Sequence, residues 1–165
     1  MIYRFRIILD TKEDILRDIE IEASATLEDF HYAIAQAFGF GGSEMASFYR
    51  TNKEWEQGDE IPLLDMDEGI VPMGQEQIDS VFDAENHHLI YVYDFLDLWT
   101  FFVELIEIGE PEVSTLYPNL IFAQGVVPDE APNKDFVAEE NQSEDELEAD
   151  SDEEGLDDYN DADFY

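Results

Sequence analysis

From Ile2 to Leu9 the apolar side chains of Tyr3, Phe5, Ile7 and Leu9 alternate with Arg4 and Arg6, which is the period of a half-buried strand. A polar connection over residues 10–14 leads to Leu16–Glu22. There Ile19 and Ile21 are expected to point inward and Asp18, Glu20 and Glu22 outward, and the two segments read as an antiparallel hairpin. The period then becomes that of a helix. Thr26-Leu27-Glu28-Asp29 has the form of a capping box, with Thr26 positioned to cap a backbone N–H and Asp29 adding negative charge to the first turn. Leu27, Phe30, Ile34, Ala37 and Phe38 fall on one face, and Gly39, Gly41 and Gly42 end the run. His31 lies beside this stripe and is expected to be a partly buried packing residue.

Two short strands are expected next, Ala46–Thr51 and Lys53–Glu56, with Thr51-Asn52 as their turn, Trp55 as an anchor and Gly58-Asp59 as a further turn. Residues 61–73 read as irregular, and Gln75–Phe82 as one or two helical turns burying Ile78, Val81 and Phe82. The densest apolar block is Leu89–Ile108, which reads as two long buried strands joined by a turn at Leu96–Leu98. Leu89, Tyr91 and Tyr93 share one face of the first strand. Trp99, Phe101, Val103 and Leu105 share one face of the second. The opposite faces are also largely apolar, as in central strands covered on both sides, or on one side by a long loop. Tyr117–Pro132 is punctuated by Pro and Gly and is expected to be an ordered loop laid over the sheet. From Ala138 the chain is nearly all Glu, Asp, Ser and Asn, with little to bury, and is expected to be disordered.

Charge changes the picture most. The 165 residues carry 43 acidic and seven basic side chains, net −36. Fifteen of the acidic residues and none of the basic ones follow Lys134, so residues 1–134 still hold 28 acidic against seven basic, net −21. Such a surface repels nucleic-acid phosphates and anionic lipid and attracts basic partners, although solubility alone is a sufficient reason for it. No Cys is present, so disulfides and thiolate metal sites are excluded. The start of the chain has a strand pattern rather than a signal core. Asp94 and Asp97 interrupt the longest apolar run, which falls short of the roughly 18 residues of a membrane span. A cytoplasmic protein without a membrane segment is the expectation.

The order of motifs is hairpin, a helix entered through Thr26-Leu27-Glu28-Asp29-Phe30 and closed by Ala37-Phe38-Gly39-Phe40, then Tyr93-Asp94-Phe95-Leu96-Asp97-Leu98-Trp99, then Tyr117-Pro118 and Gly125-Val126-Val127-Pro128-Asp129-Glu130. Over roughly residues 1–134 this resembles the plasmid pRiA4b ORF-3-like family, whose members are also associated with mobile elements. Leu96 stands where the family usually has Gly. The resemblance implies a compact α+β domain with a β-grasp-like sheet and implies no known activity. The expected architecture is therefore a mostly antiparallel sheet packed with one main helix over residues 1–134, followed by a disordered acidic tail over 135–165.

Candidate chemistry centres on the turn of the central hairpin. Asp94 and Asp97 bracket it, with Tyr93 and Trp99 beside them. These four residues form either a small binding site, two carboxylates beside an aromatic wall, or simple turn chemistry in which Asp side chains bond nearby backbone N–H groups. His87 and His88 precede the same strand, so a metal-assisted enzyme using Asp94, Asp97 and one of these histidines is the alternative. It needs at least three converging ligands. Asp150–Gly155, with Asp161, resembles the start of a calcium loop, but Asp157 replaces the usual apolar residue and no amphipathic helix flanks it. No nucleophile elbow, phosphate loop or dinucleotide fingerprint occurs, and seven basic residues argue against direct nucleic-acid binding. The expectation is a non-enzymatic interaction domain with no cofactor that binds a basic protein partner, in one version by mimicking nucleic acid. The sequence is silent on oligomeric state.

Overall fold

The structure, a computed structural model, describes residues 1–65 and 68–132. The acidic tail, with Tyr159, Phe164, Tyr165 and the calcium-loop-like Asp150–Gly155, lies outside the described residues. Among these residues seven strands form one sheet: β1 (Ile2–Leu9), β2 (Leu16–Glu22), β3 (Ala46–Thr51), β4 (Gln57–Pro62), β5 (His88–Tyr93), β6 (Trp99–Gly109) and β7 (Asn119–Gln124). The order across the sheet is β4-β3-β5-β6-β1-β2-β7, and each neighbouring pair is antiparallel. Helix α1 (Leu27–Ala37) lies across one face, and a short helix α2 (Ile78–Val81) follows a 3-10 turn at Met73–Gln75. The α+β architecture is the expected one. What it shares with a β-grasp is the hairpin followed by a helix laid over the sheet.

The alternation of β1 sets the layers. Phe5, Ile7 and Leu9 stand opposite Leu105, Val103 and Phe101 of β6, and all six are buried on the helix side. Phe5 meets Phe30 of α1 at 4.5 Å and Phe82 beyond α2 at 4.7 Å between ring centroids. Phe30 stacks on Phe48 of β3, and Phe38 packs on Phe101. The helix begins as its sequence requires. Thr26 Oγ1 accepts from the Asp29 amide, and Asp29 Oδ2 accepts from the Thr26 amide, each at 3.1 Å.

The second face is mixed. Asp18 is fully buried there and accepts both Arg6 Nε and an Arg6 terminal nitrogen at 2.9 Å, while Arg4 lies 3.6 Å from the same carboxylate. A planar guanidinium matched to a carboxylate in this fork satisfies a charge that would be costly to bury alone. Ile90 and Val92 are buried on this face. Trp55 sets its ring edge-on against His88 at 4.5 Å and Phe102 at 5.0 Å, so it is the anchor its sequence suggests.

Three expectations are corrected. Lys53–Glu56 is not a strand. The Asn52 side chain accepts the amides of Glu54 and Glu56, and Trp55 sits at φ 63, so the chain turns there and β4 starts only at Gln57. Gly58, expected in a turn, lies inside β4, where a Cβ would come within 2.9 Å of the Arg50 carbonyl oxygen. The segment after Pro118 is not a loop over the sheet: Asn119–Gln124 is the edge strand β7, paired with β2. Arg17 fastens this edge, donating to the carbonyls of Ala37, Gln124 and Gly125 while stacking over Phe38.

Because Phe5 has no exposed surface and its ring joins α1 to the sheet, Phe5→Ala is expected to cost about 3–5 kcal/mol in a urea unfolding titration. A cost below about 1 kcal/mol would show that this contact does not organise the core.

Candidate functional site

The turn between β5 and β6 uses its acidic residues locally. Asp94 adopts φ 65, and its Oδ1 accepts the amides of Leu96 at 3.1 Å and Asp97 at 3.5 Å. Its own amide donates to Met45 O at 2.8 Å, and Leu98 N donates to Asp94 O. Tyr93 and Trp99 are cross-strand partners, and both point to the helix side, where they are buried around Phe40 at 4.9 Å each. The Tyr93 hydroxyl accepts the amides of Gly42 at 3.0 Å and Glu44 at 3.4 Å, which ties down the loop after α1. The aromatic pair thus faces inward while Asp97 points to solvent, and Phe95, Leu96 and Leu98 are left exposed at the tip, Leu96 at 93%.

His87 and His88 are at the other end of β5. Six strand residues put them roughly 20 Å from Asp94. His88 faces Glu104 and Trp55 instead. Among the described residues no three His, Asp or Glu side chains converge on a point that could hold a metal ion, so the geometry does not assemble the ligands that a metal-assisted reaction at Asp94 and Asp97 would need.

A groove lies elsewhere, between α1 and the β2–β7 edge. One part, about 300 Å³, is lined by Ile19, Ala33, Gln36, Ala37, Pro118 and Leu120. An adjoining part, about 470 Å³, runs on past the end of β7 and is lined by Ile21, Glu22, Asp29, Tyr32, Gln36 and Tyr117, among others. Ala33, Gln36 and Pro118 belong to both. Its position follows from register. β7 pairs with Leu16–Glu20 only, so Ile21 and Glu22 carry no outer neighbour strand. The small Ala33 and Ala37 on the flank of α1 leave space above them. The floor is apolar, two tyrosines form walls, and Glu22 and Asp29 put carboxylates at the rim. Such a groove suits an aliphatic or aromatic side chain flanked by positive charge.

Beneath α1 lies a buried polar pair. His31 Nδ1 is 2.6 Å from the Tyr91 hydroxyl, and neither residue has exposed surface. Burial pushes the His31 imidazole down to about 4 and the Tyr91 phenol well above 10. Both are therefore neutral at pH 7, and His31 Nε2 has no hydrogen-bond partner among the described residues. The sequence position beside the apolar stripe indicated packing, and the depth of burial goes beyond it.

Fold and groove define an α+β domain with an antiparallel sheet, one crossing helix and an acidic-rimmed cleft beside its edge strand. The chain belongs to the plasmid pRiA4b ORF-3-like protein family, which matches residues 1–158, further than the motifs around Tyr93–Trp99 and Gly125–Glu130 reach. A crystal structure of a protein of unknown function from Methanosarcina mazei Go1 superposes with a TM-score of 0.69 at 24% identity, covering 78% of this chain and 72% of that one. At that identity the likeness is one of fold. No curated protein matches the chain. Among the described residues no helix is long and apolar enough to cross a membrane.

The groove residues escaped sequence reading because they come from three separate segments, and the motifs that reach the groove, Thr26–Phe30 and Tyr117-Pro118, carry no sign that they converge. The spacing of Ala33 and Ala37 on an otherwise bulky helix was the one available signal.

The buried imidazole predicts a pH dependence. Between pH 6.5 and about 4 the unfolded chain binds a proton that native His31 refuses, so stability from this group is complete above 6.5 and falls as pH drops. Comparing wild type with His31→Gln, the stability difference is expected to shift by roughly 3 kcal/mol against wild type from pH 7 to pH 4. Parallel unfolding curves for the two at both pH values would contradict it.

Proposed function

We propose that this protein is a non-enzymatic interaction domain that binds a basic segment of a partner protein, with the α1–β2–β7 groove as its seat. The observation that carries this reading is an apolar, tyrosine-walled groove rimmed by Glu22 and Asp29 on a domain whose first 134 residues carry net −21. Lysine or arginine stems would lie along Tyr32 and Tyr117 while their charges meet the rim. Of the six basic residues at positions 1–132, Arg4 and Arg6 are held by Asp18, Arg17 by backbone carbonyls and Arg50 by Glu76. Little free positive charge remains to compete for the rim. The 15 acidic residues after Lys134 add attraction at long range and raise the rate of encounter. The domain acts where a DNA-binding protein is to be occupied, its carboxylates standing in for phosphates, and this is the form in which a tie to mobile elements is most economical. Cytoplasmic action fits the absence of Cys.

The test is capture of arginine-rich and lysine-rich proteins by the full chain at about 50 and 500 mM salt. Capture is expected at low salt and to collapse at high salt. Glu22→Lys is expected to weaken it roughly three- to tenfold, the size of a reversed surface charge. Capture that is indifferent to salt and to Glu22→Lys would overturn the reading.

A further inference from the structure

The two edges of the sheet are built differently. At one edge β4, Gln57-Gly58-Asp59-Glu60-Ile61-Pro62, carries two carboxylates and a proline. These are the devices by which sheet edges resist pairing with other chains. At the other edge β7 reads Asn119-Leu120-Ile121-Phe122-Ala123-Gln124. It has no charge and no proline, in a chain of which 30% is charged. Its side chains are also half in solvent, Leu120 at 48% and Phe122 at 44% exposure. A register shift against β2 leaves Ile121 as an extra residue and adds local twist, the one guarding feature of this edge among the described residues.

The surroundings of β7 point to its occupant. Leu120 lines the groove together with Ile19, Ala33 and Ala37, so a strand added outside β7 has one row of side chains directed to the mouth of that groove. Its other row lies on the second face beside Phe122, which stands opposite Asp18. Carboxylates flank the uncharged strip: Glu20 opposite Asn119 on β2, Glu22 and Asp29 at the groove, and Asp129 and Glu130 after β7. A second copy of this chain is disfavoured there, because pairing β7 with β7 would bring two chains of net −36 together.

We infer that β7 is a docking edge, on which an extended basic segment of a partner protein adds as an eighth strand with alternate side chains entering the α1–β2–β7 groove. Main-chain hydrogen bonds to β7 supply affinity without regard to sequence, and the groove with its acidic rim supplies the preference for apolar residues alternating with Lys or Arg. This rests on the basic-partner reading above and adds the mode of binding.

The probe is a ten-residue peptide alternating valine and lysine, compared with the same peptide carrying N-methyl groups on every second amide, in the two possible phases. Binding to the full chain is followed by backbone amide NMR. The expected result is that the unmodified peptide binds, one methylated phase loses at least tenfold in affinity while the other does not, and shifts centre on Asn119–Gln124, Ala33 and Gln36. Leu120→Lys, at a half-exposed site where folding tolerates charge, is expected to cost at least a further tenfold. Equal binding of all three peptides, or shifts centred elsewhere, overturns strand addition and leaves the basic-partner reading standing. No binding by any peptide, with no salt-sensitive capture of basic proteins, overturns both. Concentration-dependent self-association abolished by Leu120→Lys overturns the choice of occupant in favour of a second copy.

Discussion

A single helix has to cover a sheet far wider than itself. Seven strands about 4.8 Å apart span roughly 29 Å, whereas a helix with its side chains is about 10–12 Å across. Where α1 is placed therefore decides what else must be covered. It is placed by rings: Phe30 reaches β1 and β3, His31 reaches Tyr91 of β5, and Phe38 reaches Phe101 of β6. These contacts seat it over the middle strands. Phe82 from beyond α2, Phe40 from the loop after α1, and Val127 and Ala131 after β7 complete the cover. The strip between α1 and β7 is where the cover ends, and the groove is that strip.

The second face solves the same problem with polar chemistry. Without a helix to bury it, β1 places Arg4 and Arg6 there, and the two guanidinium groups enclose Asp18. Trp55, carried by a turn that the Asn52 side chain fixes, covers Phe102 and His88. Both faces are thus covered over most of the central strands, although the far end of β6, expected to be buried through Ile108, leaves Ile106 and Ile108 40% exposed at and beyond the register shift against β1. The remaining asymmetry of the domain lies at its edges. One edge is closed by charge and proline, and the other has no outer partner among the described residues.

Much of the fold was legible because its central strands obey simple periods. The alternation in Ile2–Leu9 and Trp99–Leu105 is the burial observed, Leu89–Tyr93 is buried on both of its apolar faces, and the capping box at Thr26 is formed as written. In β2 Asp18, expected on the outward face, is instead fully buried, because Arg4 and Arg6 of β1 enclose its carboxylate. Edge strands were the failures, for a physical reason. β4 buries only Ile61 and Pro62, and β7 buries nothing fully, so neither carries a period that marks it. At the candidate site Asp94, Asp97, Tyr93 and Trp99 were rightly placed on one hairpin end. Their directions were not legible, because the register that turns Tyr93 and Trp99 toward Phe40 and leaves Asp97 outside is set by partners on other strands. The groove depends on where β7 stops along β2, which no local pattern encodes.

Amide hydrogen exchange on the free full-length chain addresses the central claim, that cover by α1 ends short of an open edge at β7. The slowest amides should lie in β1, β5 and β6, and in β7 protected and unprotected amides should coexist, since only those bonded inward to β2 are shielded. Uniform protection along Asn119–Gln124, as strong as in β1, would contradict it, because that edge would then already be paired.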